Sequence, residues 1–438
     1  MSLKSRNWSP VGARRRGLKT FASRLAIRFL AIVAIVGLFH GVDLHVRYRD
    51  AMRAKYSETE FAALSDYDQA ILASSGWDLE SHSSNPGRLV LLENRKHWKK
   101  LGKGREGEVF TYNNSVIKVY DDQSSPFRNC VPDVGDGARR WPTEIPVTLI
   151  MGGKRDSSVP PHHDAYKDSY VPVQDYFLAA ANPSHPPKWH LVTPFYKSGT
   201  LSKLAKKLRH SPERLTYHEV DAMFRPSFEA LLSALDELHL AHNLCHDDVK
   251  LDNIFVASER DPRRWKMGDL GNAREPGHPY HSAPLWTSDT PQLRDCRAND
   301  ALRLTKSYVE FVRVASGNPT DFDDAFFRGV EPASRFYWTV ARNPVPLSAG
   351  DVKVLSEAYP PLREGEEGVW TSMEPVAARG SGSATAMVMT VFGSCWHGAL
   401  GRTVVGELRV GANEWMGKLF GLTGILGVPI TSCKAARG

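Results

Sequence analysis

His246-Asp247-Asp248-Val249-Lys250-Leu251-Asp252-Asn253, followed by the apolar run Ile254-Phe255-Val256 and then by Gly268-Asp269-Leu270-Gly271, is the stretch on which the reading of this chain turns. It places two carboxylates and an amide (Asp248, Asn253, Asp269) around a short strand, with Lys250 two residues past the first. Upstream lies Gly102-Lys103-Gly104-Arg105-Glu106-Gly107-Glu108-Val109. Taken alone that pattern also marks dinucleotide folds. Here it falls between two strand candidates, so its glycines are expected to let a hairpin backbone approach phosphate oxygens. The next strand, Val116-Ile117-Lys118-Val119, carries one lysine among apolar neighbours.

Taken together and in this order, these motifs resemble the eukaryotic protein kinase superfamily over roughly residues 89–317, and more faintly to about 345. The resemblance implies an α+β, two-lobed protein-kinase-like fold, with an antiparallel β N-lobe, a mostly α C-lobe and ATP between them. It implies that Gly102, Gly104, Gly107 and Val109 cover the phosphates, that Lys118 holds them, and that Glu144 is the ion-pair partner of Lys118. Asp248 is then the catalytic-loop carboxylate that accepts the substrate proton, Lys250 the lysine directed at the γ-phosphate, and Asn253 and Asp269 the Mg²⁺ ligands. Leu191 to Leu201 resembles the adenine-binding hinge, with Thr193, Pro194 and Tyr196 against the base. Asp300 resembles the aspartate that braces the catalytic loop. The implied activity is Mg-ATP-dependent transfer of the γ-phosphate to a protein Ser/Thr hydroxyl. A membrane-anchored pseudokinase scaffold and a kinase-like enzyme acting on a small molecule or glycan are the alternatives.

The sequence departs from the family in three places. Asp247 stands where an arginine reads a phosphorylated activation loop. The D-F-G motif is Asp269-Leu270-Gly271, and Thr290-Pro291-Gln292 replaces A-P-E without its glutamate. The gap from Lys118 to Glu144 implies an insertion containing Ser124 to Asp136, and Pro142 and Pro146 flank the glutamate.

The net charge of +7 on 438 residues is local. Residues 1–42 hold eight basic residues and no acid, which leaves 48 basic against 49 acidic residues in the remainder. A near-neutral body excludes a nucleic-acid footprint. The basic cluster runs into the uncharged stretch Phe29 to Phe39, inside a candidate transmembrane anchor at 25–42. No cleavage site follows, and the basic bias puts the N-terminus in the cytosol and the body in the lumen of the secretory pathway (ER/Golgi). Leu18, Phe21, Leu25 and Phe29 at helical spacing among basic residues also fit a mitochondrial presequence.

The expected organisation is a basic segment at 1–24, the anchor at 25–42, a stalk at 43–88, the N-lobe at 89–195, the C-lobe at 196–345 and a poorly defined extension at 346–438. Val109 to Tyr112, Ser115 to Tyr120, Tyr170 to Phe177 and Trp189 to Phe195 read as strands. Phe228, Leu231, Leu232, Leu235 and Leu238 line a helix opened near Pro226, and Leu302 to Val314 reads as another. Five cysteines without a C-x-x-C pair indicate neither a disulfide framework nor a zinc site, and His162-His163-Asp164 lacks a third ligand. Expected partners are ATP, a protein substrate and the membrane, through the N-terminal helix.

Overall fold

The computed structural model describes residues 11–59, 86–104, 106–121, 127–130, 140–153, 167–180, 184–287, 292–329, 331–362, 393–410 and 415–422. Its first element is α1 (Val11–Lys55), a 45-residue helix whose stretch from Leu25 onward is long and apolar enough to cross a membrane. The short helix α2 (Pro86–Glu93) then leads into the sheet.

Alternating residues and paired turn residues build β1 (Lys99–Lys103), β2 (Gly107–Tyr112) and β3 (Ser115–Tyr120). Asn113 and Asn114 turn β2 into β3 with φ of 46° and 61°, the left-handed pair that a two-residue hairpin needs and that asparagine tolerates. After the two-residue strands β4 (Asn129–Cys130) and β5 (Arg140–Trp141) comes α3 (Glu144–Gly152). Its prolines are compatible with a helix. Pro142 precedes it, and Pro146 sits in the first turn, where the missing N–H has no partner to lose. With β6 (Asp175–Ala179) and β7 (Lys188–Pro194) the sheet is five-stranded in the order β1-β2-β3-β7-β6, antiparallel at each pairing. The strand expected from Tyr170 starts only at Asp175. Tyr170 instead makes an isolated bridge to Met267, and its hydroxyl donates to the Ala234 carbonyl, so the helical side claims it.

That side comprises α4 (Leu201–Arg209), α5 (Tyr217–Leu240), the hairpin of β8 (Ile254–Val256) and β9 (Trp265–Met267), α6 (Pro284–Thr287), α7 (Cys296–Ala315), α8 (Pro319–Arg328), α9 (Pro332–Ala341), α10 (Ala349–Ala358), α11 (Gly393–Leu408) and α12 (Trp415–Phe420). Helix α5 starts nine residues before Pro226, because Thr216 and Glu219 form a reciprocal capping box there. Pro226 lies inside the helix on its exposed side, where water can take the carbonyl its ring leaves unpaired. The buried face of α5 stacks Phe228 on Tyr308 of α7 at 4.3 Å and sets Phe224 edge-on to Phe311 at 5.1 Å.

Two expected boundaries move. Residues 43–55 do not stand free as a stalk. They continue α1, and Tyr48, Ala51 and Met52 are buried with Tyr280, Leu285 and Trp286. The extension from 346 is partly core, since Val352 of α10 and Val404 and Leu408 of α11 belong to the main apolar cluster. Neither was legible locally, because the few apolar residues of 43–55 and the Gly- and Ala-rich tail each acquire a buried face only when a partner covers it. His162-His163-Asp164 lies outside the described residues.

Candidate functional site

A cavity of about 1020 Å³ opens between the sheet and the helices. Of the residues singled out above, Gly104, Gly107, Val109, Lys118, Glu144, Thr193, Pro194, Tyr196, Asp248, Lys250, Asn253 and Asp269 line it. Gly102 does not. It sits in β1 with open space where a Cβ would stand, so nothing there demands glycine. Gly107 is different: its φ is +154°, and a Cβ would lie 2.0 Å from the Val119 carbonyl oxygen. The turn between β1 and β2 closes with the Gly104 amide donating to the Gly107 carbonyl at 2.9 Å.

At the inner end, β3 presents Lys118 to three carboxylates. Its Nζ donates to Glu106 Oε2 at 2.8 Å, to Asp269 Oδ1 at 3.3 Å, and to Glu144 Oε2. Burial alone would lower the Lys118 pKa, but Glu106, Glu144 and Asp269 together hold it well above the ordinary lysine value. Glu144, at the start of α3, also accepts from Tyr120 Oη at 2.5 Å. Its burial pushes its pKa up to about 7, against the pull of Lys118 and with the help of Asp269 and Glu106. Asp269 moves the other way, lowered chiefly by Lys118. The pairing of Lys118 with Glu144 across 26 residues therefore exists. Glu106 is the addition that the sequence pattern did not single out.

Around Asp248 the residues converge as the spacing suggested. Lys250 Nζ donates to Asp248 Oδ2 at 2.7 Å, and Asn253 Nδ2 donates to the Asp248 carbonyl at 2.9 Å and to Oδ2 at 3.2 Å. The turn is held from beneath by Asp300 of α7, fully buried, whose carboxylate accepts the His246 amide at 2.5 Å and the Asp247 amide at 3.0 Å. One helical turn on, Arg303 donates to the carbonyls of Val249 and Asp247 and to Asp248 Oδ1, each at 3.2 Å. Arg303 was missed. Its signal is the i, i+3 spacing from Asp300, which puts both on one face of α7. Arg303 Nη1 and Asn299 Nδ2 also share Gln292 Oε1, at 3.1 and 2.9 Å. A neutral oxygen at Gln292 thus anchors the end of the segment that follows Asp269, where a glutamate was noted as lacking.

That segment has two further ties. Arg128, in the 124–136 insertion, donates to the carbonyls of Gly271 and Ala273 at 2.8 and 2.9 Å. Arg274 Nη1 and His281 Nε2 both donate to Asp247 Oδ2, at 3.1 and 2.9 Å, and all three side chains are buried. Asp247 therefore does not repel Asp248 to no purpose; it is the buried anion for two cations of the segment. Its φ of +63° is a conformation that aspartate tolerates.

Next to this turn, Cys245 and Cys296 form a disulfide, which the odd cysteine count had not indicated. It joins the residue before His246 to the first residue of α7, 51 positions on. A cross-link over a loop of that length stabilises the folded chain by about 4 kcal/mol. A reducing agent is expected to lower the melting temperature by roughly 5 °C, and Cys245→Ser/Cys296→Ser to reproduce the shift without it. Identical melting curves with and without reductant would count against the bond.

Glu106 gives a second testable consequence. Below about pH 7 Glu144 takes up a proton and loses its hold on Lys118. Glu106→Gln removes one of the negative charges that raise Glu144, so the acid limb of the Glu144 titration, followed by carboxyl NMR, is expected to move to lower pH. An unshifted acid limb would rule this coupling out.

The donor set fits a magnesium nucleotide: Asp269 and Asn253 offer hard oxygens, and Asn253, its nitrogen turned to Asp248, keeps its oxygen as the donor. No family model matches the chain, and no curated protein matches it in sequence. The chain is a mixed α/β protein with a five-stranded antiparallel sheet, many helices and one N-terminal helix apolar and long enough to span a membrane.

Proposed function

We propose that this protein is a membrane-anchored, Mg-ATP-dependent protein kinase of two-lobed, protein-kinase-like fold, transferring the γ-phosphate to a Ser/Thr hydroxyl. The observation that carries this reading is the convergence in one cavity of Lys118 paired with Glu144, Asp269 beside them, and Asp248 with Lys250 and Asn253. Asn253 and Asp269 would hold magnesium, which would supply positive charge against the negative charge that develops during phosphoryl transfer. Lys118 binds the phosphates, with Glu144 fixing its Nζ. Thr193, Pro194 and Tyr196 border the place for adenine. Asp248 takes the proton of the acceptor hydroxyl as its oxygen bonds to phosphorus. The bond from that phosphorus to the β–γ bridging oxygen breaks, and ADP leaves with the electron pair. Lys250 stands within reach of the transferred group.

The direct test gives the purified chain radiolabelled Mg-ATP with mixed protein substrates and, separately, with sugars and lipids, alongside a thermal-shift titration. Label in protein and a Mg-dependent upward shift are expected. Label in sugars or lipids but not in protein would favour the small-molecule reading, and a shift without label the scaffold reading.

A luminal placement of the body is part of the proposal. It is supported by the basic bias before the apolar stretch and by the Cys245–Cys296 disulfide, a bond that persists in oxidising compartments. Asn113-Asn114-Ser115 is then an exposed sequon at the β2–β3 turn. Glycosidase treatment of the cell-expressed protein is expected to increase its mobility, and Asn113→Gln to abolish the effect. No shift, with co-fractionation with mitochondria, would reverse the placement.

A further inference from the structure

Helix α1 ties the apolar span to the cavity without a flexible joint. From Leu25 to Val42 its large apolar side chains are exposed, each of those from Leu25 to Phe39 by more than half. Contact with the body starts two to three residues later. Leu44 packs against the cluster around Tyr280 and Trp286, and His45 Nδ1 donates to the Phe420 carbonyl at 2.7 Å. The helix then buries Tyr48, Ala51 and Met52 and ends with Lys55 and Tyr56 lining the cavity. There Arg274 Nη2 donates to the Lys55 carbonyl at 3.2 Å, and Lys55 Nζ stands 5.5 Å over the Tyr280 ring.

The nucleotide would occupy the end of the cavity bounded by Gly104, Lys118 and Thr193. The acceptor would then approach Asp248 past Lys55 and Tyr56, at the end of the anchor helix, and past Tyr280 and Trp286, against which that helix packs. Distance selects the kind of acceptor. Thirteen residues of helix from Val42 to Lys55 rise about 20 Å. Headgroups occupy a layer only about 5–8 Å deep beyond the hydrocarbon, so a lipid hydroxyl falls short by more than 10 Å. An extended chain leaving the same membrane covers about 20 Å in some six residues. Resting on the kinase reading above, we infer that the acceptor is a Ser/Thr on the juxtamembrane segment of a protein anchored in the same membrane as this chain.

The test uses the full chain in proteoliposomes with Mg-ATP and one degenerate Ser/Thr peptide in three forms. One form is free in solution, one joined to a transmembrane helix through about eight residues, and one joined through about forty; phosphatidylinositol vesicles form a fourth arm. Initial rates on the short tether are expected to exceed those on the long tether at least tenfold, with no label in lipid. Inserting a twenty-residue Gly-Ser segment between Val42 and Asp43 should equalise the two tethers and leave the free-peptide rate unchanged. Equal or faster labelling of the long tether, a preference that survives the insertion, or label in lipid alone would each overturn the inference. Free peptide labelled without tether preference overturns the acceptor class and leaves the kinase reading standing. No label in any arm, with no Mg-ATP thermal shift, overturns the kinase reading and this inference with it.

Discussion

Asp248→Asn is expected to lower phosphoryl transfer by roughly 10²- to 10⁴-fold, the range that loss of a positioned general base produces. The substitution keeps the shape of the side chain but only one accepting oxygen, so it loses either the Arg303 bond at Oδ1 or the Lys250 and Asn253 bonds at Oδ2, while Asp300 still holds the backbone of the turn. What it removes is the carboxylate proposed to receive the acceptor proton. The melting temperature and the Mg-ATP thermal shift should stay close to those of the parent, because Lys118, Glu144 and Asp269 form a separate set of contacts. Steady-state labelling, beside nucleotide binding measured on the same preparations, separates the two effects. Equal labelling by Asp248→Asn and the parent would sink the assigned role, and a collapse of both fold and binding would make it structural.

The second large effect is on stability. Asp247→Asn should destabilise the fold by about 3–5 kcal/mol, because it leaves the Arg274 guanidinium buried without its anion. Asparagine accepts the left-handed backbone at this position as aspartate does, so the substitution isolates the charge. For a chain of this size the loss appears as a drop of about 5 °C in melting temperature. Asp247→Asn/Arg274→Met should recover most of it, since the unpaired cation is then gone.

The pH dependence gives an independent check. Burial lowers the His281 pKa, but Asp247 outweighs it and holds it above the ordinary histidine value. Its stabilising contribution is therefore complete below about pH 6.5 and is lost as pH rises through the folded value. Asp247 itself is held below the usual carboxylate range by His281 and Arg274 against its burial, so its contribution is lost as pH falls through that lower value. Asp247→Asn should flatten the fall in stability that the parent shows above neutral pH. An unchanged melting temperature and an unchanged pH profile would dismiss the buried cluster as inert. Because the segment carries its own cations to a buried anion, phosphatase treatment is expected to leave labelling of substrate unaltered.

Much of the candidate site was legible because its residues lie close in sequence and their chemistry is specific. Asp248, Lys250 and Asn253 fall within six positions of one turn, and the geometry of that turn brings their polar atoms together. Lys118 and its Val and Ile neighbours read as a strand because β-branched residues bounded by a turn are a local signal, and Asn113-Asn114 announces its hairpin for the same reason. The prolines around Glu144 looked unfavourable only while the helix start was unknown; at positions before and within a first turn they cost little. The partners of Gln292 and Arg128 were not legible, and those of Arg303 had only its spacing from Asp300 to announce them. Each residue acts through backbone carbonyls or an amide oxygen supplied by distant segments, and a carbonyl has no signature in sequence.

By itself, then, the sequence determined the main strands and two of the helices around the cavity, the near-neutral body, the apolar span and the cluster of Asp248, Lys250 and Asn253. Those are properties of periodicity and of residue type, and both act over a few neighbouring positions. Only the tertiary structure decided that Cys245 meets Cys296, that Asp247 serves Arg274 and His281, that Glu106 turns into the cavity against Lys118, and that the anchor helix ends in the cavity wall. Each of these joins residues from 12 to more than 200 positions apart. Such pairings form because burial leaves a charge or an apolar side chain no solvent to turn to, and it must then find its partner in whatever segment the fold brings alongside.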